Sequence, residues 1–239
     1  MILAAGEFRF LGSAHLVALA VTAAAPVVLS IVARKAASAK LARAVACILA
    51  AVLVGNEVGR WVYGLATVSA REFLVNFLPL HVCGVAIFLT AFALLTRNAL
   101  AYETAYYWGL AGTVQALLTP DLKAGFPSYD FMRYFIAHGG IVTGVLFATW
   151  GMRMRPRRSS ILRTVIITHV FAAIVAAADV LLGANYMFLC RPADAPTVFF
   201  FLPWPWYIVF LDGVGIAMIL LLYTPFPIAD SLRRRRGRG

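Results

Sequence analysis

Seven runs of apolar residues, at 13–33, 41–65, 77–95, 100–118, 131–152, 162–183 and 204–225, decide what this chain can fold into. Crossing about 30 Å of hydrocarbon takes roughly 20 residues of helix, and each run meets or nears that length. Lipid offers no water to bond exposed backbone groups, so a span of this kind must be helical. The expectation is an all-α membrane protein, a seven-transmembrane-helix bundle forming one polytopic domain over 1–239. Composition agrees: 62% of the 239 residues are hydrophobic and 13% charged, about half the charged share of a soluble globular chain. A soluble domain, a disordered tail and a disulfide scaffold are excluded. Met1–Phe8 has no basic n-region and the first run outlasts a signal-peptide core, so that helix is expected to be retained.

The cations set the expected orientation. Arg34, Lys35, Lys40, Arg43, Arg97, Arg153, Arg155, Arg157, Arg158, Arg163, Arg233, Arg234, Arg235, Arg236 and Arg238 fall on one side of the spans; Arg9, Arg71, Lys123, Arg133 and Arg191 fall on the other. The positive-inside asymmetry predicts an outside N-terminus and a cytoplasmic C-terminus. The arginine tail follows the last span directly, where anionic headgroups at the cytoplasmic face are its nearest partners. Membrane lipids are therefore the expected partners and nucleic acid is not; oligomeric state is left open.

Ionisable groups inside a membrane helix cost a few kcal/mol each, so their depth is informative. With this orientation His15, Glu57, Arg60, His81, Cys83, Gln115, His138, Asp179 and Asp212 all fall in the outer half, whereas Glu103, Cys47 and His169 do not. The clustering points to a polar cavity opening outward. Glu57 and Arg60, three apart on one helical face, either neutralise each other or bind a headgroup. Pro79 suits a first helical turn, which would place His81 and Cys83 among the unpaired N–H groups of a helix N-terminus. Residues two apart point to different faces, so a base for Cys83 must come from another helix. His138, followed by Gly139 and Gly140, is that base by expectation. Asp121, Asn185 and Tyr186 end helices at loops that border the cavity.

Other seven-helix classes each demand a residue that is missing. Lys35, Lys40 and Lys123 are the only lysines, so the last helix has none for retinal. No histidine pair at i, i+4 supports a zinc hydrolase, and three cysteines give no disulfide framework. No metal and no cofactor is expected.

The segments Pro79–Gly84, Tyr107–Leu110, Gln115–Asp121, Gly125–Pro127, His138–Gly139, Asn185–Leu189 and Pro203–Tyr207, with Pro192, resemble the YwaF-type family of bacterial integral membrane proteins, in order and spacing over nearly the whole chain. That family is distantly similar to an animal transmembrane ether-phospholipid acyltransferase and, more remotely, to androgen-induced membrane hydrolases that use a Thr and a His. The resemblance implies acyl chemistry on lipids within the bilayer of a bacterial cytoplasmic membrane. It aligns His81 and His138 with the relatives' histidines, and puts Leu80 where the animal protein's nucleophilic Cys would stand. The resulting expectation is a lipid acyltransferase or hydrolase with His138, His81 and Cys83 catalytic. Glu57, Arg60, Gln115, Asp121, Asn185, Tyr186 and Asp212 would bind substrate, with Gln115 and His81 facing the oxyanion. A carrier of a small anion or lipid precursor using Arg60 and Glu57, and a non-catalytic membrane scaffold, are the alternatives.

Overall fold

The computed structural model describes residues 6–193 and 199–236. Ten α-helices follow one another: α1 Ser13–Lys35, α2 Ala39–Thr67, α3 Ala70–Asn76, α4 Val82–Thr96, α5 Ala99–Trp108, α6 Val114–Leu118, α7 Tyr129–Trp150, α8 Ser160–Leu182, α9 Trp206–Tyr223 and α10 Pro225–Arg236. A π-helical turn, Gly109–Thr113, joins α5 to α6 without a break. No strand occurs among the described residues, only an isolated bridge between Glu7 and Ala124. Five helical segments are long and apolar enough to cross a membrane, and α4 is a shorter apolar helix.

The apolar surface faces outward. In the most apolar window of α8 11% of residues are buried, against 61% for α7. A soluble protein reverses that pattern; here lipid covers the outer helices. α7 runs through the centre and packs against α1, α2, α4 and α5, while every residue of α5 from Ala101 to Trp108 is buried. Because lipid is as apolar as leucine, helices associate in it through close packing rather than hydrophobic burial. Glycines on α7 make that contact: a Cβ at Gly139 would come 2.7 Å from Thr22 Oγ1 of α1, and one at Gly144 2.5 Å from Thr90 Cγ2 of α4.

Polar contacts sort to the two ends of the bundle. At one end Arg157 binds the fully buried Glu103 through Nε at 2.7 Å and Nη2 at 2.9 Å, Arg97 donates to Met152 O, and Arg155 bridges to Asp230 of α10. At the other, His15 is sandwiched between the start of α1 and the end of α6, its Nε2 2.9 Å from Leu117 O and its Nδ1 accepting from Leu11 N at 3.1 Å. Both ring nitrogens of His15 are thus occupied by backbone.

One helix boundary departs from expectation. The run 77–95 is helical only from Val82, and Phe77–His81 is a non-helical bend behind the short α3. Pro79 disfavours α geometry at Leu78, so the proline precedes the helix instead of opening it. At roughly 1.5 Å per residue α4 is about 22 Å long, shorter than the hydrocarbon. Irregular backbone at membrane depth must be bonded by protein. Two side chains do this. Arg60 donates to Asn76 O at 3.3 Å and Phe77 O at 2.5 Å; the Tyr186 hydroxyl donates to Leu74 O at 2.9 Å and accepts from Leu78 N at 3.0 Å.

Candidate functional site

That bend delivers His81 as the N-cap of α4, with extended φ −78° and ψ 148°. Its Nδ1 accepts a hydrogen bond from Met187 N at 3.2 Å, which leaves the proton of the neutral ring on Nε2. The ring is packed edge-on against Tyr186 and against Phe188. Met187 and Phe188 both adopt left-handed backbone, φ 54° and 58°. Non-glycine residues hold that conformation only where surrounding contacts enforce it, and here it aims the Met187 N–H at His81.

His138 Nδ1 lies 2.9 Å from Tyr134 O, one turn back on α7. A carbonyl can only accept, so in the neutral ring Nδ1 carries the proton and Nε2 keeps its lone pair. The Tyr134 ring lies tilted against the imidazole, 4.1 Å between centroids, and its hydroxyl donates to Ala116 O at 2.8 Å. The two imidazoles are thus held in opposite tautomers by backbone groups. His81 offers an Nε2–H donor and His138 an Nε2 acceptor.

Cys83 occupies the first turn of α4, its thiol against the backbone N–H groups of Cys83 and Gly84. It packs on the core formed by Leu53, Ala86, Ile87, Trp108, Ala137 and Ile141, the last two on α7. Cys83 therefore faces α7, the helix that carries Tyr134 and His138. Beside His81 opens a small polar cleft of about 170 Å³, lined by Asn76, His81, Asn185, Phe188 and Arg191 among others.

The expected binding residues have varied fates. Arg60 and Glu57 form a buried ion pair, with Nη2 2.7 Å from Oε1 and side chains 14% and 3% exposed. Arg60 also lies over the Phe77 ring at 5.2 Å, so its bonds are to Glu57 and the bend. Asn185 closes its own loop, Oδ1 accepting from Cys190 N and Arg191 N while Nδ2 donates to Arg191 O. Tyr186 holds the bend as described. The Gln115 amide donates to Thr119 Oγ1 at 2.9 Å, and no described bond joins it to His81 or Cys83. Asp121 is exposed in the loop before α7. Asp212 is far from this group in the chain's packing: it pairs with His169 of α8 at 3.4 Å. Tyr134 had escaped notice, and Glu103 and Asp179 had been located without a role. Glu103 binds the basic loop, Tyr134 orients His138, and buried Asp179 accepts from Tyr186 N at 2.8 Å, fixing the strained turn. A carboxylate near the start of α5, on the same side of the spans as the arginine-rich 153–158 loop, was the available signal for Glu103. Among the described residues no group of three or more His, Cys, Asp or Glu is placed to hold a metal.

An uncharacterized protein from Treponema pallidum (strain Nichols) is similar to this chain, 28% identical over 154 residues. The match covers 63% of this chain and 63% of that protein's length. No solved structure matches. The model of the TMEM164 family, a transmembrane family, matches residues 10–223, which takes in the bend, both histidines and Cys83; this integral membrane protein belongs to the TMEM164 family.

Proposed function

We propose that the chain is a lipid acyltransferase or lipid hydrolase of a bacterial cytoplasmic membrane, with seven spans, an outside N-terminus and its reaction centre in the outer leaflet. The observation that carries the reading is the opposite tautomers of His81 and His138, each fixed by a backbone group, with Cys83 packed on the core that holds Ala137 and Ile141 of the same α7 as His138. His138 Nε2 takes the thiol proton of Cys83, and the sulfur attacks the carbonyl carbon of a lipid ester. His81 Nε2–H and the first-turn amides of α4 stabilise the oxyanion. Collapse breaks the ester C–O bond, and the alcohol leaves with the proton held by His138. A second alcohol, or water, then attacks the thioester and returns the thiol to Cys83. Tyr134 and Met187 act as positioning residues, through the two imidazoles. The resemblance of its motifs to the YwaF-type family supports the same chemistry. For a carrier, Arg60 would have to release both Glu57 and the bend.

Incubation of purified protein with acyl-labelled phospholipid, followed by intact mass spectrometry, tests the proposal. Wild type should carry an acyl adduct or release product, and His138→Ala should lose at least 100-fold, the usual worth of a positioned general base. Cys83→Ser should abolish the thioester. Tightly bound lipid without turnover in any variant would overturn the enzyme reading.

A further inference from the structure

One charged pair lies on the lipid-facing surface of the bundle. His169 lies nine residues into α8 and Asp212 six residues into α9, so at about 1.5 Å per residue both are near mid-membrane. His169 Nε2 is 3.4 Å from Asp212 Oδ1, yet the side chains are 54% and 43% exposed. Ionisable groups at that depth normally face a bundle interior or a water-filled cavity. Here they face outward, on helices whose remaining outer surface is lipid-compatible. The Nδ1 of His169 is bound to Val165 O, and Asp212 Oδ2 has no hydrogen bond among the described residues.

The surrounding surface is shaped for another helix. Ala173 and Ala177 on α8 and Gly213 and Ala217 on α9 are all exposed, and a Cβ at Gly213 would meet nothing within 4 Å. Each helix thus presents two small residues four apart, the spacing that lets helix backbones approach closely in lipid. The pair is also self-complementary. A two-fold axis through this face sets the cation of one copy beside the anion of the other, as an isologous contact requires. A lipid acyl chain offers the exposed carboxylate nothing.

We infer that the α8–α9 face is a homodimer interface, in which His169 and Asp212 of two copies form one four-membered charge cluster shielded from lipid. The occupant is a second copy of this chain. The contact leaves the His81–Cys83–His138 group untouched, so the inference stands apart from the proposed chemistry.

Full-length protein in liposomes at low protein-to-lipid ratio tests it by two readouts. In a Cys47→Ser, Cys190→Ser background, Ala173→Cys should give an oxidative disulfide dimer, whereas Leu65→Cys on exposed α2 should not. Dimerisation by single-molecule photobleaching should weaken about tenfold in Gly213→Leu and in Asp212→Ala, the former by bulk and the latter by loss of charge; a double His169→Leu, Asp212→Leu variant, free of charge in lipid, should remain folded and run as a monomer. The cross-linking arm stands even where a core variant misfolds. A monomeric wild type overturns the inference, as does a dimer indifferent to all three variants. Native mass spectra showing a monomer whose bound lipid is lost in Asp212→Ala would also overturn it and assign the face to lipid.

Discussion

At the residue scale, burial and pairing separate groups that act from groups that hold. Arg60 is the instructive case, because sequence alone left it balanced between self-pairing and headgroup recognition. Its guanidinium binds Glu57 and two carbonyls of the bend. Removing it leaves a buried carboxylate without its cation and strips bonds from irregular backbone at membrane depth. Removing the Glu57 charge leaves Arg60 on the bend. Arg60→Met should therefore cost about 3–5 kcal/mol, and Glu57→Gln about 1–3 kcal/mol, measured by thermal unfolding in detergent. Equal losses would contradict the bend-anchoring role. Unchanged stability with lost lipid binding would restore Arg60 as a headgroup ligand. His81, Cys83 and His138 stood out in sequence because each is a polar or nucleophilic side chain set in an apolar run. Tyr186 and Asn185 were legible in place but not in role, because a polar side chain that satisfies backbone looks in sequence like one that binds substrate. Tyr134 and Met187 left no signal, since each works through its backbone.

At the element scale, hydropathy located the helices well because lipid leaves few other solutions. The expected 13–33 and 131–152 became Ser13–Lys35 and Tyr129–Trp150, shifts of a turn or less. It failed at α4, where apolar composition continues through a non-helical bend, and the cost of that bend is met by residues from α2 and the loop after α8. Packing between helices was less legible still. Gly144 and Gly55 look alike in sequence, yet a Cβ at the first would press to 2.5 Å of Thr90 Cγ2, while one at the second meets nothing within 4 Å. Overpacking typically costs about 1–3 kcal/mol. Gly144→Val should thus lower folded yield and thermal stability by that amount or more, with α4 displaced from α7. Gly55→Ala should be neutral or slightly stabilising, since alanine favours helix. If both behave alike under the same thermal scan, the α4–α7 contact is not limiting for stability.

At the scale of the whole molecule, the contacts define two ends, and the distribution of cations predicts the compartment each faces. Glu103–Arg157, Arg97–Met152 and Arg155–Asp230 gather the arginine-rich loop, the start of α5 and α10 at one end. His15–Leu117 and the Gly6–Gly125 backbone bond close the other. The basic end carries 14 of the 20 described Lys and Arg, and translocating such loops is strongly disfavoured. The basic end should therefore be cytoplasmic and the His81 cleft should open outward. Exposed Cys190, in the loop beyond α8, reports on this directly. In intact cells a membrane-impermeant maleimide should label wild type and not Cys190→Ser, and a fluorescent protein fused after the arginine tail should fold in the cytoplasm and fluoresce. Labelling only after permeabilisation would invert the protein, move the cleft to the inner leaflet and place the arginine tail outside. Glu103→Gln separates sidedness from stability: it should free Arg157 and raise tryptic cleavage of the 153–158 loop in inside-out vesicles without altering Cys190 labelling. Altered labelling would mean that the buried carboxylate, and not the distribution of cations, fixes how the bundle inserts.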